Sequence, residues 1–69
     1  MIKKNTKMIF EDGGSTEELA GGIPLSVGEI VHVKKDGEST DYVVADKNVE
    51  FIFDGDDQIA NIAYSLMKN

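Results

Sequence analysis

The sequence predicts an all-β protein, a small antiparallel barrel or strongly bent sheet of five to six short strands. Three observations carry that expectation. Apolar and polar residues alternate in short runs, the two-residue period of a strand with one buried face. Turn residues punctuate those runs about every ten positions, the spacing of small barrels. No segment before the last eleven residues sustains a helical period.

Taken in order, Met8 and Phe10 alternate with Lys7, Ile9 and Glu11 in a first strand. Asp12-Gly13-Gly14-Ser15 is a turn, and Thr16–Ala20 returns as the second strand. A helical turn starting at Ser15, with Glu18 closing a capping box, competes for the same residues. Gly21-Gly22 would stop it within one turn, so the hairpin is preferred.

Pro24 then fixes its own φ and biases Ile23 toward an extended conformation. Gly28 can take positive φ and let the chain reverse before Glu29. The run Ile30-Val31-His32-Val33 has the β-branched content of a strand centre. Asp36-Gly37 is the strongest hairpin signal present and leads into Thr40–Asp46.

A bend or bulge is expected at Lys47-Asn48. Val49, Phe51 and Phe53 then alternate cleanly with Glu50, Ile52 and Asp54. Together with Val31, Val33, Tyr42 and Val44, Phe51 and Phe53 are expected in the core.

The C-terminal segment fits two patterns. Ile59, Ile62, Ala63, Leu66 and Met67 fall at helical spacing, which would make the fold α+β with a helix over 59–67. Ala60, Ile62, Tyr64 and Leu66 equally line one face of a strand. Asp54–Gln58 reads as a five-residue loop to an antiparallel partner, and the phenylalanine strand needs a neighbour for its backbone groups. A strand is therefore preferred.

Composition narrows the function classes. The chain has 69 residues, enough for one domain (1–69), with residues 1–6 expected to be disordered. It has no cysteine, so neither a disulfide nor a thiolate metal site supports it, which fits a reducing cytoplasm. No run of about 18 apolar residues could span a membrane. The N-terminal lysines lack the apolar segment of a signal peptide.

Thirteen acids against seven lysines leave a net charge of −6. The first ten residues carry three lysines and no acid. With no arginine and this charge, nucleic-acid binding is disfavoured. The alternative function, a nucleic-acid-binding barrel, would need Lys3, Lys4, Lys7, Lys34 and Lys35 on one face.

The residues that could carry chemistry are few. His32, the single histidine, sits between two valines with no companion ligand at a fixed spacing. It reads as an outward or hydrogen-bonded structural residue rather than a base or metal ligand. Asp54, Asp56 and Asp57 share a loop but lack the calcium-loop glycine and glutamate positions, so they read as a solvated turn. Gly13-Gly14 and Gly21-Gly22 lie among acids that repel phosphate. No serine sits in a nucleophile-elbow context. The expectation is therefore no catalytic residue, no metal and no cofactor.

The remaining candidate is a surface. If Val31, Val33, Tyr42 and Val44 point inward, then Ile30, His32, Val43 and Ile52 point outward as a small apolar patch, and contiguous exposed apolar area marks contact with a partner. The function expected is a non-catalytic module binding a protein partner, itself a monomer or weak homodimer.

The stretch Ile23-Pro24-Leu25-Ser26-Val27-Gly28-Glu29-Ile30-Val31, followed by a glycine hairpin and Tyr42-Val43-Val44, resembles small SH3-like β-barrel proteins of Gram-positive bacteria and their mobile elements. These share a Pro-x-x-x-Gly-Glu turn into a valine-rich strand and a closing segment like Asn61-Ile62-Ala63-Tyr64-Ser65-Leu66. The resemblance implies a fold and no activity. The SH3 peptide groove uses a tryptophan-containing aromatic cluster, and this chain has no tryptophan.

Overall fold

The computed structural model describes residues 2–69 and contains five strands and no helix. They are β1 (Ile2–Phe10), β2 (Ser15–Ala20), β3 (Ile30–Lys35), β4 (Glu38–Asp54) and β5 (Asp57–Lys68). All belong to one sheet in the order β2-β1-β5-β4-β3, curled into a half-barrel. Neighbours run antiparallel except β1 and β5, which are parallel. The all-β expectation holds, and residues 59–67 are strand rather than helix.

The turns follow from residue type. Asp36 and Gly37 both have positive φ (53° and 81°), the two-residue geometry that matches strand twist. Gly55 (φ 61°) opens the turn between Asp54 and Asp57. That connection is a two-residue turn rather than the expected five-residue loop, because pairing runs to its rim. Gly28 (φ 94°) is the third residue of a turn in which the Glu29 N–H donates to the Ser26 carbonyl at 3.0 Å.

Two boundaries depart from the sequence reading. β4 runs unbroken through Lys47-Asn48, and its irregularity lies between Val44 and Asp46. One extra residue there re-aims the strand without ending it. β1 begins at Ile2 rather than Lys7, because β5 offers a parallel partner from Gln58 onward. Met1 lies outside the described residues.

The core is small: Phe10, Tyr42, Val44, Tyr64 and Leu66, with Met8, Leu25, Val31, Val33 and Ile62 packed around them. Phe10 meets Tyr42 edge to face at a centroid distance of 5.0 Å. No second sheet covers this inner face. The connection from Gly21 to Glu29 crosses it instead, and two buried hydroxyls tie it down. The Thr6 hydroxyl donates to the Gly21 carbonyl (2.7 Å) and accepts from the Ile23 N–H (3.2 Å). The Tyr64 hydroxyl donates to the Ile23 carbonyl (2.5 Å) and accepts from the Leu25 N–H (2.9 Å). Among the described residues no buried side-chain polar atom lacks a partner.

One expectation about the core is overturned. Phe51 and Phe53 lie on the inner face, as their alternation requires, yet are 66% and 73% exposed. The reason is length. β3 has six residues and covers only Glu38–Val43 of the seventeen in β4, while the Gly21–Glu29 connection ends beside Val44 at the strand edge. Beyond that point β4 has no outer neighbour, and past the end of β2 at Ala20 only 51–54 of β4, 57–60 of β5 and 2–4 of β1 continue, as a short projecting arm. The radius of gyration is 13.4 Å, against about 11 Å for a compact domain of this length.

Candidate functional site

The arm consists of 51–54 of β4, 57–60 of β5 and 2–4 of β1, and the open β4 edge leads back from it to Lys47. Paired positions settle its two faces. Val49 lies opposite Ile62 and Phe51 opposite Ala60, on the side that continues the core. Ile52 lies opposite Ile59 on the outer side. Exposed apolar residues crowd the inner side: Phe51, Phe53, Val49 at 41% and, across β5, Ile2 at 68%. A contiguous exposed apolar run of this kind on so small a domain marks a contact surface.

The arm also presents an unpaired strand edge. Val44 exchanges hydrogen bonds with Gly28 and Glu29, on the side away from β5. The bulge adds one residue, so outward backbone groups resume at Lys47 and recur at Val49, Phe51 and Phe53. The Lys47 N–H is occupied by the Asp46 carboxylate at 2.9 Å. Among the described residues no strand pairs with this edge from 46 to 54. An open edge of that length invites another strand.

The outward patch expected from Ile30, His32, Val43 and Ile52 is divided by the same geometry. All four side chains do face outward. Ile30 and Val43 are cross-strand neighbours, and Met67 lies beside Val43 on β5. Next to them the His32 Nδ1 meets the Asp41 carboxylate at 2.6 Å, an exposed pair. Ile52 is nine positions farther along β4 than Val43, about 25–30 Å away at strand rise. The sequence indicated the correct face but could not show that the surface is two places.

A second concavity lies at the seam where the curled sheet fails to close. Strands β2 and β3 do not pair, and a cleft of about 380 Å³ opens between them over Phe10, Tyr42, Val33 and Thr40. Lys35 faces Glu17 across its mouth at 3.9 Å. The Tyr42 hydroxyl donates to Asp12 at 3.2 Å. Burial, then the Asp12 charge, then that hydrogen bond raise the tyrosine's pKa above its ordinary value of 10.

The other candidates do not assemble. Among the described residues no group of three or more His, Asp or Glu converges on one point, and the Asp54–Asp57 turn is no exception. The five lysines of the nucleic-acid alternative are divided between β1 and β3, with β5 and β4 between them. Lys7 faces Glu18 at 4.0 Å and Lys35 faces Glu17, while Lys4 and Lys35 sit on the inner face and Lys3, Lys7 and Lys34 on the outer. No family model, curated protein or solved structure matches the chain.

The sequence reading missed the arm as a site, although a signal was present. The run from Ile30 to the Asp36-Gly37 turn can pair with only six residues. Any strand continuing through Phe53 must therefore outrun that partner.

Proposed function

We propose that this protein is a non-catalytic interaction module that binds a protein partner through the β4–β5 arm. One observation carries the reading: two phenylalanines, 66% and 73% exposed, stand on a strand edge that no described strand pairs with. Leaving Phe51 and Phe53 in water forgoes about 1–2 kcal/mol each relative to burial. A partner strand laid along Lys47–Asp54 would meet the outward backbone groups while its alternate side chains reached the phenylalanines, the mode called β-augmentation.

The acidic surface supports a partner that is basic near its contact. The cysteine-free composition supports a reducing compartment, the cytoplasm. The Pro24–Glu29 turn supports kinship with the small SH3-like barrel proteins of Gram-positive bacteria, whose architecture suits such a module.

The test compares the wild-type chain with Phe51→Asp/Phe53→Asp as baits in extract of the source cells. The expected result is a partner retained by the first and lost by the second, with both baits folded by circular dichroism. Identical retention by both baits would refute the assignment of the surface.

A further inference from the structure

Resting on that reading, we infer that one occupant of the β4 edge is a second copy of this chain, antiparallel and centred on Phe51. Two edges related by a two-fold axis perpendicular to the sheet must pair residues that share a face, so the axis passes midway between one residue and its own copy in the partner. Only a few centres are available, and their side chains distinguish them. A centre at Glu50 sets two carboxylates against each other, which is destabilising. A centre at Val49 leaves Phe53 opposite Ala45, inside the bulge.

A centre at Phe51 pairs phenylalanine with phenylalanine and Val49 with the partner's Phe53 on the inner face. On the outer face Ile52 lies opposite the partner's Glu50, and Asn48 opposite the partner's Asp54. No like charges meet between Asn48 and Asp54. The groups brought together are the outward ones of Val49, Phe51 and Phe53, so the pair completes the ladder the monomer leaves open.

The area available fits a weak, closed dimer. The exposed parts of Val49, Phe51, Ile52 and Phe53 amount to about 400 Å² per chain. Edge pairing covers the flanks of these side chains and the strand backbone, so the area removed lies below about 1,000 Å², the range of weak association. Each chain uses its own copy of the edge, so association stops at two.

Sedimentation velocity from high to low micromolar concentration tests this with wild type, Ile52→Asp, Ile52→Lys and Ile52→Asp/Glu50→Lys. Position 52 is partly exposed on the arm and its change leaves the core intact, which circular dichroism checks. Wild type should dimerise reversibly. Ile52→Asp, which sets like charges opposite each other twice, should weaken the dimer about tenfold. Ile52→Lys should hold or tighten it, and the double variant should recover it.

A wild-type monomer at every concentration overturns the inference, as does a dimer indifferent to the charge at position 52. A monomer that still retains a heterologous partner through Phe51 and Phe53 overturns the self-pairing alone. A dimer whose extract bait retains nothing overturns only the assignment to a different protein.

Discussion

The Tyr64 hydroxyl offers the sharpest check on how the half-barrel is held shut. Tyr64 is fully buried, and its oxygen joins the Ile23 carbonyl and the Leu25 N–H of the connection that covers the inner face. Tyr64→Phe keeps the ring and its packing and removes one atom. Both backbone groups then lose their partner. A buried group left unsatisfied costs about 1–3 kcal/mol. Ile23 and Leu25 are half-buried, so one of the two can recover a water, and the net loss is about 1–3 kcal/mol. A domain of 69 residues has a total stability of about 3–10 kcal/mol, so this is a large share. Urea unfolding measures it, with an unchanged slope showing that the folded and unfolded states keep their compactness. The Leu25 amide should also exchange faster than in wild type. A stability change under about 0.5 kcal/mol with Leu25 as protected as before would refute the account of the connection as a tethered lid.

Other perturbations follow from the same geometry. Phe53→Ser should lower monomer stability by less than about 1 kcal/mol, since most of that side chain is already in water, whereas Phe10→Ala should cost about 3–5 kcal/mol. Equal losses in urea melts would contradict the placement of the arm outside the core. Gly28→Ala should cost about 1–2 kcal/mol from backbone strain alone, because its φ is positive and a Cβ there meets nothing within 4 Å. Because the pKa of Tyr42 is raised in the fold, its contribution to stability is fully present below pH 10 and is lost as pH rises through the higher folded value. A near-ultraviolet titration of the folded chain should show Tyr42 ionising later than a free tyrosine and Asp12→Asn moving it earlier; a Tyr42 midpoint untouched by that change would sink the assigned cause. His32→Ala should shift stability by about 0.5 kcal/mol or less, since both His32 and its hydrogen-bond partner Asp41 are exposed.

By itself the sequence determined the local chemistry: which residues turn, which alternate, and which side of each strand they occupy. Asp36-Gly37, Gly28 and the Val49-Phe51-Phe53 period led to the right turn or face because each effect acts within a few residues. The choice of strand for residues 59–67 already depended on a longer-range argument, the need of β4 for a neighbour. Burial was decided only by the tertiary structure. Phe10 is core because the curled sheet brings Tyr42 against it, whereas Phe51 and Phe53 are surface because β3 and the Gly21–Glu29 connection end before reaching them, and alternation is the same in both places. The parallel pairing of β1 with β5 was likewise settled between residues more than fifty positions apart. Periodicity reports the direction of a side chain, whereas exposure depends on what the rest of the chain is long enough to reach.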